Sequence, residues 1–166
     1  MNIEYIKTEE EVEIQRKSSL LVGKTLAEVA SLIKPGVTPL ELDRRAFEFI
    51  SDHKAVPGFL NFNGFPNSLC ISKNEAVVHG IPDKKPLVDG DILSVDCGVL
   101  MNEFYGDSAY TFPVGEVSSE VLGLLETTKR SLYKGIEQAV VGMCEGESKT
   151  LTLKPDEAYG EIDSEL

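Results

Sequence analysis

Two stretches early in the chain place apolar residues every three to four positions, the spacing of an amphipathic helix. Thr8 and Glu11 form a capping box that predicts the start of the first helix, and a Lys-Pro-Gly turn at residues 34–36 predicts its end. Thr38 and Glu41 predict the start of the second helix in the same way. Core packing explains the apolar stripes, which comprise Val22, Leu26, Val29, Ala30 and Ile33 in the first helix and Leu42, Ala46, Phe49 and Ile50 in the second.

The pattern changes between residues 55 and 86, where glycine and proline interrupt short apolar runs. We predict strands at Ser68–Ser72 and Ala76–Val78 and a loop-rich rim around them. Three phenylalanines in this rim are either core residues or the lining of a binding site: Phe59, Phe62 and Phe65. His79 follows the second predicted strand, where it either completes a hydrogen bond or acts as a donor or base near neutral pH.

The stretch Ile92–Phe112 predicts an antiparallel hairpin, because two apolar, β-branched and aromatic runs flank a polar break at residues 102–103. Each arm carries one aspartate, Asp96 and Asp107. Side chains alternate between the faces of a strand, so an even-length loop places both aspartates on the same face, either opposed or on a diagonal. The sequence therefore predicts a close pair of carboxylates at the centre of the domain.

The two aspartates either face solvent or form a buried pair. An aspartate in a strand often points into solvent, but Asp96 lies in the small, apolar run Ser94–Val99, which is typical of a buried strand. Two buried carboxylates repel each other unless they share a proton or bind a cation between them. The pair alone leaves the shared proton and the divalent metal open.

Composition limits the classes of function. The length of 166 residues fits one domain, and the net charge of −12 argues against binding to nucleic acid or to an anionic membrane surface. Three cysteines at unrelated spacings argue against a disulfide framework. The acidic N-terminal residues lack the apolar segment of a secretory signal, and no run is long enough to span a membrane. We expect a cytoplasmic protein.

Two long runs resemble the type I methionine aminopeptidases: PGFLNFNGFPNSLCISKNEAVVHGIP at residues 57–82 and DGDILSVDCGVLMNEFYGDSAYTF at residues 89–112. The resemblance extends from about residue 3 to residue 141. It implies an α/β (α+β) architecture, namely the N-terminal half of the pita-bread fold, with a mainly antiparallel sheet and helices on one face. It also implies removal of N-terminal methionine from peptides and nascent chains.

The same resemblance assigns roles to individual residues. It implies that Asp96 and Asp107 occupy the first two metal-ligand positions for Mn, Co, Fe or Zn, and that His79 contacts the substrate as the catalytic histidine. It implies a methionine pocket around Phe62, Phe65 and Cys70, next to Phe59. The family uses five metal-ligand side chains, including a histidine in the second half of the fold. The sequence has no histidine after His79, so we expect an incomplete site with weak or absent activity.

The C-terminal stretch resembles the middle of an FKBP-type peptidyl-prolyl isomerase, beginning at about residue 135. The resemblance rests on a helix that ends at residues 142–143, an alternating strand Lys149–Lys154 and an Ala-Tyr-Gly motif in which Tyr159 takes the place of the pocket tyrosine. We therefore expect an aminopeptidase-like half domain at residues 1–141 and an isomerase-like fragment at residues 142–166. Recombination, an engineered chimera and an assembly error each account for such a joint.

Three functional hypotheses follow. The first is a metalloaminopeptidase, the second a peptide-binding module without catalysis, and the third an isomerase or chaperone that acts through its C-terminal segment. Half of a sheet without its usual cover exposes an apolar face or a strand edge, so we also expect self-association. A sharp monomeric profile in size-exclusion chromatography, with no binding of a hydrophobic dye, would count against this last expectation.

Overall fold

The computed structural model describes residues 7–144 together with residues 147, 150 and 154. The chain divides into two compact units, Met1–Val117 and Ser118–Leu166. The boundary predicted at residue 141 separates two sequence resemblances. It lies inside the second unit and stays a prediction. In chain order the first unit contains helices α1 (Glu9–Ala30) and α2 (Pro39–Asp52) and strands β1 (Val56–Pro57), β2 (Leu69–Lys73), β3 (Ile92–Met101) and β4 (Phe104–Pro113).

Both helices begin where their capping boxes predict. At the start of α1 the Glu11 amide donates to the Thr8 hydroxyl over 3.2 Å, and the Thr8 amide donates to the Glu11 carboxylate over 2.7 Å. The Thr38 box of α2 is also complete. Helix α1 ends at Ala30, earlier than the turn at residues 34–36, because the amides of Leu32 and Ile33 bond to the carbonyls three positions back and tighten the last turn.

Strand β3 is the centre of a four-stranded antiparallel sheet. Strand β4 pairs with its whole length, while β1 and β2 pair with its two ends and must therefore share its other edge. Helix α1 packs on β3 and β4, and α2 packs on β1 and β2. The core between helices and sheet takes every second residue of β3: Leu93, Val95, Cys97 and Val99. The alternate residues of β3 therefore lie on the opposite face of the sheet.

The predicted strand Ser68–Ser72 forms one residue later, as β2. The predicted strand Ala76–Val78 is wrong, since these residues are in an exposed loop after a turn in which Asn74 has a φ of 51°. Val77 is 85% exposed, so no apolar burial stabilises an extended strand there.

The second unit contains helix α3 (Ser119–Val140), which the Ser118 hydroxyl caps by accepting the Val121 amide over 3.2 Å. After the helix Gly142 has a φ of 78°, which agrees with a helix end close to the predicted position. The predicted strand Lys149–Lys154 and Tyr159 fall outside the described residues, apart from the isolated positions 150 and 154. In the described part of the chain no helix combines the length and the apolar character that a membrane span requires.

Asp43 of α2 is a buried clamp between the helix and the sheet. Its carboxylate accepts the amides of Ser68 and Leu69 and the side-chain amide of Asn67, each over 2.8 Å. Asp43→Ala leaves buried donors without an acceptor, so we expect it to lower the free energy of unfolding by about 3 kcal/mol. Urea unfolding measures this loss, and Asp52→Ala at the exposed end of the same helix should cost less than about 0.5 kcal/mol.

Asp91 is a second buried carboxylate, at the start of β3. Burial by itself raises the pKa of Asp91, but the Val88 amide, the Asn74 side chain and the Lys73 ammonium outweigh it, and the pKa is lowered. A lowered carboxyl pKa stabilises the fold above the unfolded pKa of about 4, and the stabilisation disappears as pH falls through the lower folded value.

Asp91→Asn is therefore expected to lower the free energy of unfolding by about 1.5 kcal/mol at pH 7. The difference from wild type should shrink as the pH falls below about 4. Urea unfolding across this pH range measures the effect, and a difference that stays constant with pH would contradict it.

Candidate functional site

The hairpin that carries both aspartates closes through a two-residue turn. Asn102 and Glu103 have φ values of 50° and 69°, the left-handed pair that a tight hairpin turn needs. The turn sets a register in which Gly98 lies opposite Asp107 and Asp96 lies opposite Ala109. The predicted hairpin is thus confirmed, and the two aspartates share one face of the sheet as diagonal neighbours. We call this surface, opposite the helices, the carboxylate face.

The two carboxyl groups interact directly. Burial, the charge of Asp107 and a hydrogen bond to the Asp107 side chain raise the pKa of Asp96, in that order, while the charge of His79 and the Cys97 amide act in the opposite direction. None of the ion pairs in the described part of the chain includes either aspartate. The pair therefore has the electrostatics of a site that binds a proton or a cation.

Cys70 of β2 lies directly opposite Asp96 and therefore borders the pair on the carboxylate face. Burial, followed by the charges of Asp96, Asp107 and Asp43, raises the pKa of Cys70 to about 11. Cys97, on the core face, has its pKa raised to about 12, mainly by burial. Both thiols are neutral at pH 7, so Cys70 provides an apolar surface and not a thiolate nucleophile.

Phe59 brings an aromatic ring onto the carboxylate face. A Cβ atom on Gly98 would lie 2.6 Å from the Phe59 ring, and that Cβ would point to the face of Asp96 and Asp107. The Gly58 amide fixes the approach by donating to the Gly98 carbonyl over 2.8 Å. The ring thus covers the backbone next to both carboxylates.

The other two phenylalanines lie on a compact turn after Phe59. The Phe62 amide donates to the Phe59 carbonyl and the Phe65 amide donates to the Phe62 carbonyl, each over 2.9 Å. Phe62 is 65% exposed, and Phe59 and Phe65 are half-buried. The phenylalanines are therefore not part of the main core, which leaves the lining of a binding site as the other alternative.

His79 lies on the exposed loop after β2 and has a φ of 56°, which is strained for a residue with a side chain. Its charge lowers the pKa of Asp96, so the imidazole lies within electrostatic range of that carboxylate. The sequence reasoning missed Gly98, whose lack of a side chain admits the Phe59 ring. A glycine inside a buried strand pattern is the signal that could have identified it.

The donor set of this face fits part of a divalent-metal site. Two adjacent carboxylates without a cationic partner are hard oxygen ligands that favour a divalent ion. Within residues 7–144, and at the three described positions beyond them, no group of three or more histidine, cysteine, aspartate or glutamate side chains surrounds a common point. Among the described residues the carboxylate pair thus offers two candidate ligands for such an ion.

Sequence comparison relates the chain to metallopeptidases, both by family and by individual relatives. The sequence matches metallopeptidase family M24 over residues 13–160. It is 48% identical over 138 residues to the methionine aminopeptidase of Clostridium acetobutylicum, covering 82% of this chain and 55% of the relative. It is 46% identical over 136 residues to methionine aminopeptidase 1 of Bacillus subtilis, again covering 82% and 55%. The chain spans about half the length of the curated relatives it matches.

Solved structures give the same picture. The methionine aminopeptidase of Rickettsia prowazekii matches with a TM-score of 0.77 and 38% identity, over 79% of this chain and 53% of that one. The Pyrococcus horikoshii prolidase, at 20% identity and a TM-score of 0.66, covers 80% of this chain and 37% of its own and shares the fold. The predicted fold, half of a pita-bread domain with an antiparallel sheet and helices, is confirmed.

The isomerase resemblance receives no such support. The family match continues to residue 160 and includes most of the segment 142–166. None of the relatives and structures described above is an isomerase. The isomerase-like fragment, its Tyr159 and a fusion near residue 141 stay predictions.

Proposed function

Because the chain belongs to metallopeptidase family M24, we propose that it carries the first metal ligands and the methionine pocket of a methionine aminopeptidase. The observation that supports this most is the carboxylate pair, since the hairpin register places Asp96 and Asp107 side by side without a cationic partner among the described ion pairs. The substrates are peptides and nascent chains that begin with methionine.

Asp96 and Asp107 hold the divalent ion, which is Mn, Co, Fe or Zn. When bound, such an ion polarises the scissile carbonyl and activates water. The raised pKa of Asp96 follows from burial and from the charge of Asp107, and a bound cation would offset the repulsion between the two groups.

The methionine side chain packs against Phe59, Phe62, Phe65 and the neutral Cys70 thiol, the residues that the resemblance assigns to the pocket. A flexible thioether makes favourable contacts with aromatic rings and needs no charged partner. The Phe59 ring excludes water from the backbone beside Asp107, where the peptide has to approach the carboxylates. His79 contacts the substrate and provides a proton donor or acceptor beside the pair.

We expect the hydrolytic activity of this chain to be weak or absent. The resemblance implies five ligand side chains, and the described residues bring only two together. This observation favours a second candidate, a peptide-binding module that retains the pocket without catalysis. The module should bind peptides equally well with and without a chelator, whereas the metal-dependent site should lose affinity.

The test is release of methionine from a Met-Gly-Ser peptide by purified protein with added Mn²⁺ or Co²⁺. Asp107→Asn, expressed and purified identically, is the control because it reveals contaminating aminopeptidase from the host. Activity in the wild type alone supports the metalloaminopeptidase and means that further ligands complete the site. Equal release by both proteins, or by neither, contradicts catalysis by this chain, and peptide binding that resists chelation then supports the module.

A further inference from the structure

Gly80, the residue after His79, forms hydrogen bonds to β2 through both its carbonyl and its amide, although it lies outside any strand. The Ile71 amide donates to the Gly80 carbonyl over 2.8 Å, and the Gly80 amide donates to the Ser72 hydroxyl over 3.1 Å. Ser72 is only 5% exposed, so this hydrogen bond is partly shielded from water. The two bonds fix the backbone of Gly80 against the strand.

The approach is so close that residue 80 has no room for a side chain. A Cβ atom there would overlap the Ile71 carbonyl oxygen and would lie 2.9 Å from the Ile71 carbonyl carbon and 3.0 Å from the Ser72 Cα. The neighbouring His79 holds its left-handed φ of 56°, a conformation that persists only where the surroundings enforce it. Among the described contacts, those of Gly80 are the nearest in sequence to His79 that can hold its φ in this region.

Ser72 also lies on the correct face of the sheet. It is two residues from Cys70 on β2, and Cys70 is directly opposite Asp96, so both side chains belong to the carboxylate face. A hydroxyl on this face thus holds the amide that follows His79. The anchored amide of Gly80 is only one residue away in sequence from the imidazole of His79.

We propose that Ser72 is a positioning residue that holds His79 beside the carboxylate pair through its hydrogen bond to Gly80. The proposal rests on the proposed function in one respect, namely that His79 contacts the substrate. In this role Ser72 acts through the Gly80 amide and not by contact with metal or peptide. Its removal should therefore change peptide binding while leaving metal binding intact.

The experiment compares wild type, Ser72→Ala and Ser94→Ala. Ser94 is the matched control, because it lies directly opposite Ser72 on β3 and its hydroxyl pairs with Thr111 over 2.8 Å and not with the loop. Amide hydrogen exchange at Gly80, followed by NMR without metal, reports the hydrogen bond. Calorimetric titrations with Mn²⁺ and with Met-Gly-Ser report the two affinities.

We expect Ser72→Ala to accelerate exchange at Gly80, to weaken peptide binding about tenfold, which is about 1.4 kcal/mol, and to leave Mn²⁺ affinity within about twofold. Ser94→Ala should change none of the three. Faster exchange at Gly80 with unchanged peptide affinity would overturn the proposal, and so would a parallel loss of Mn²⁺ and peptide affinity.

A fourth readout separates this proposal from the proposed function. If the wild type binds Mn²⁺ but no peptide, the proposed substrate fails, and paramagnetic broadening of the His79 ring by Mn²⁺ then tests the positioning. His53 is the internal reference, since it follows the last residue of α2 and its Nδ1 bonds the Phe49 carbonyl of that helix over 2.8 Å. Broadening of His79 that is weaker in Ser72→Ala supports the positioning role, and identical broadening overturns it.

Discussion

Replacing Gly106 by alanine is expected to lower the free energy of unfolding by about 3 kcal/mol, as one of the most damaging single-methyl additions in the first unit. Gly106 is buried on the core face of β4, where helix α1 crosses the hairpin. An added Cβ would lie 2.6 Å from the Ser19 amide nitrogen and 2.7 Å from the Ser18 carbonyl carbon. Both are backbone atoms, so no rotamer change relieves the overlap and the helix itself has to move.

A second contact explains why that movement is costly. The Ser18 hydroxyl, which is fully buried, shares its hydrogen between the carbonyls of Val99 and Phe104, over 2.9 and 2.8 Å. Displacement of α1 would break this link to both arms of the hairpin.

Urea unfolding followed by circular dichroism measures the effect of Gly106→Ala. Gly23→Ala is the control, because Gly23 lies in α1 with no atom within 4 Å of an added Cβ, and alanine there should stabilise by up to about 1 kcal/mol. A cost below about 0.5 kcal/mol for Gly106→Ala would contradict the close approach of helix and strand.

The effect of Asp107→Asn on the free energy of unfolding is expected to change sign when metal is added. Without metal the variant should be at least as stable as the wild type at pH 7, because it removes the charge that raises the pKa of Asp96. With Mn²⁺ at a hundred times the wild-type dissociation constant, the wild type should gain about 2.7 kcal/mol and Asp107→Asn less than about 0.5 kcal/mol.

Urea unfolding in EDTA and in Mn²⁺ measures this reversal. Asp52→Asn, an exposed carboxylate at the end of α2, should respond to Mn²⁺ as the wild type does. Equal stabilisation of wild type and Asp107→Asn by Mn²⁺ would place the ion elsewhere.

The sequence predicted best those features that depend on neighbouring residues. The capping boxes at Thr8 and Thr38 and the hairpin around residues 102–103 involve positions two to four apart, where side-chain chemistry alone selects the backbone. The same local logic placed Asp96 and Asp107 on one face, because the register of a two-residue hairpin fixes which side chains share a face.

The features that the sequence did not predict depend on contacts between distant segments. Nothing near Gly98 in sequence indicates that Phe59 covers it, and nothing near Ser72 indicates that it accepts the amide of Gly80. Ala76–Val78 has strong β propensity but lies in an exposed loop, since burial and pairing decide whether such a run forms a strand. The fold around the hairpin could thus be predicted, whereas the support of the candidate site could not.

The most direct test of the account is a titration of the purified protein with Mn²⁺ in which electron paramagnetic resonance counts the free ion. Wild type and Asp52→Asn should bind Mn²⁺ saturably, and both Asp96→Asn and Asp107→Asn should bind it about a hundredfold more weakly, because each removes one of two adjacent carboxylate ligands. Equal affinity in all four proteins would contradict the claim that the carboxylate pair is the metal site.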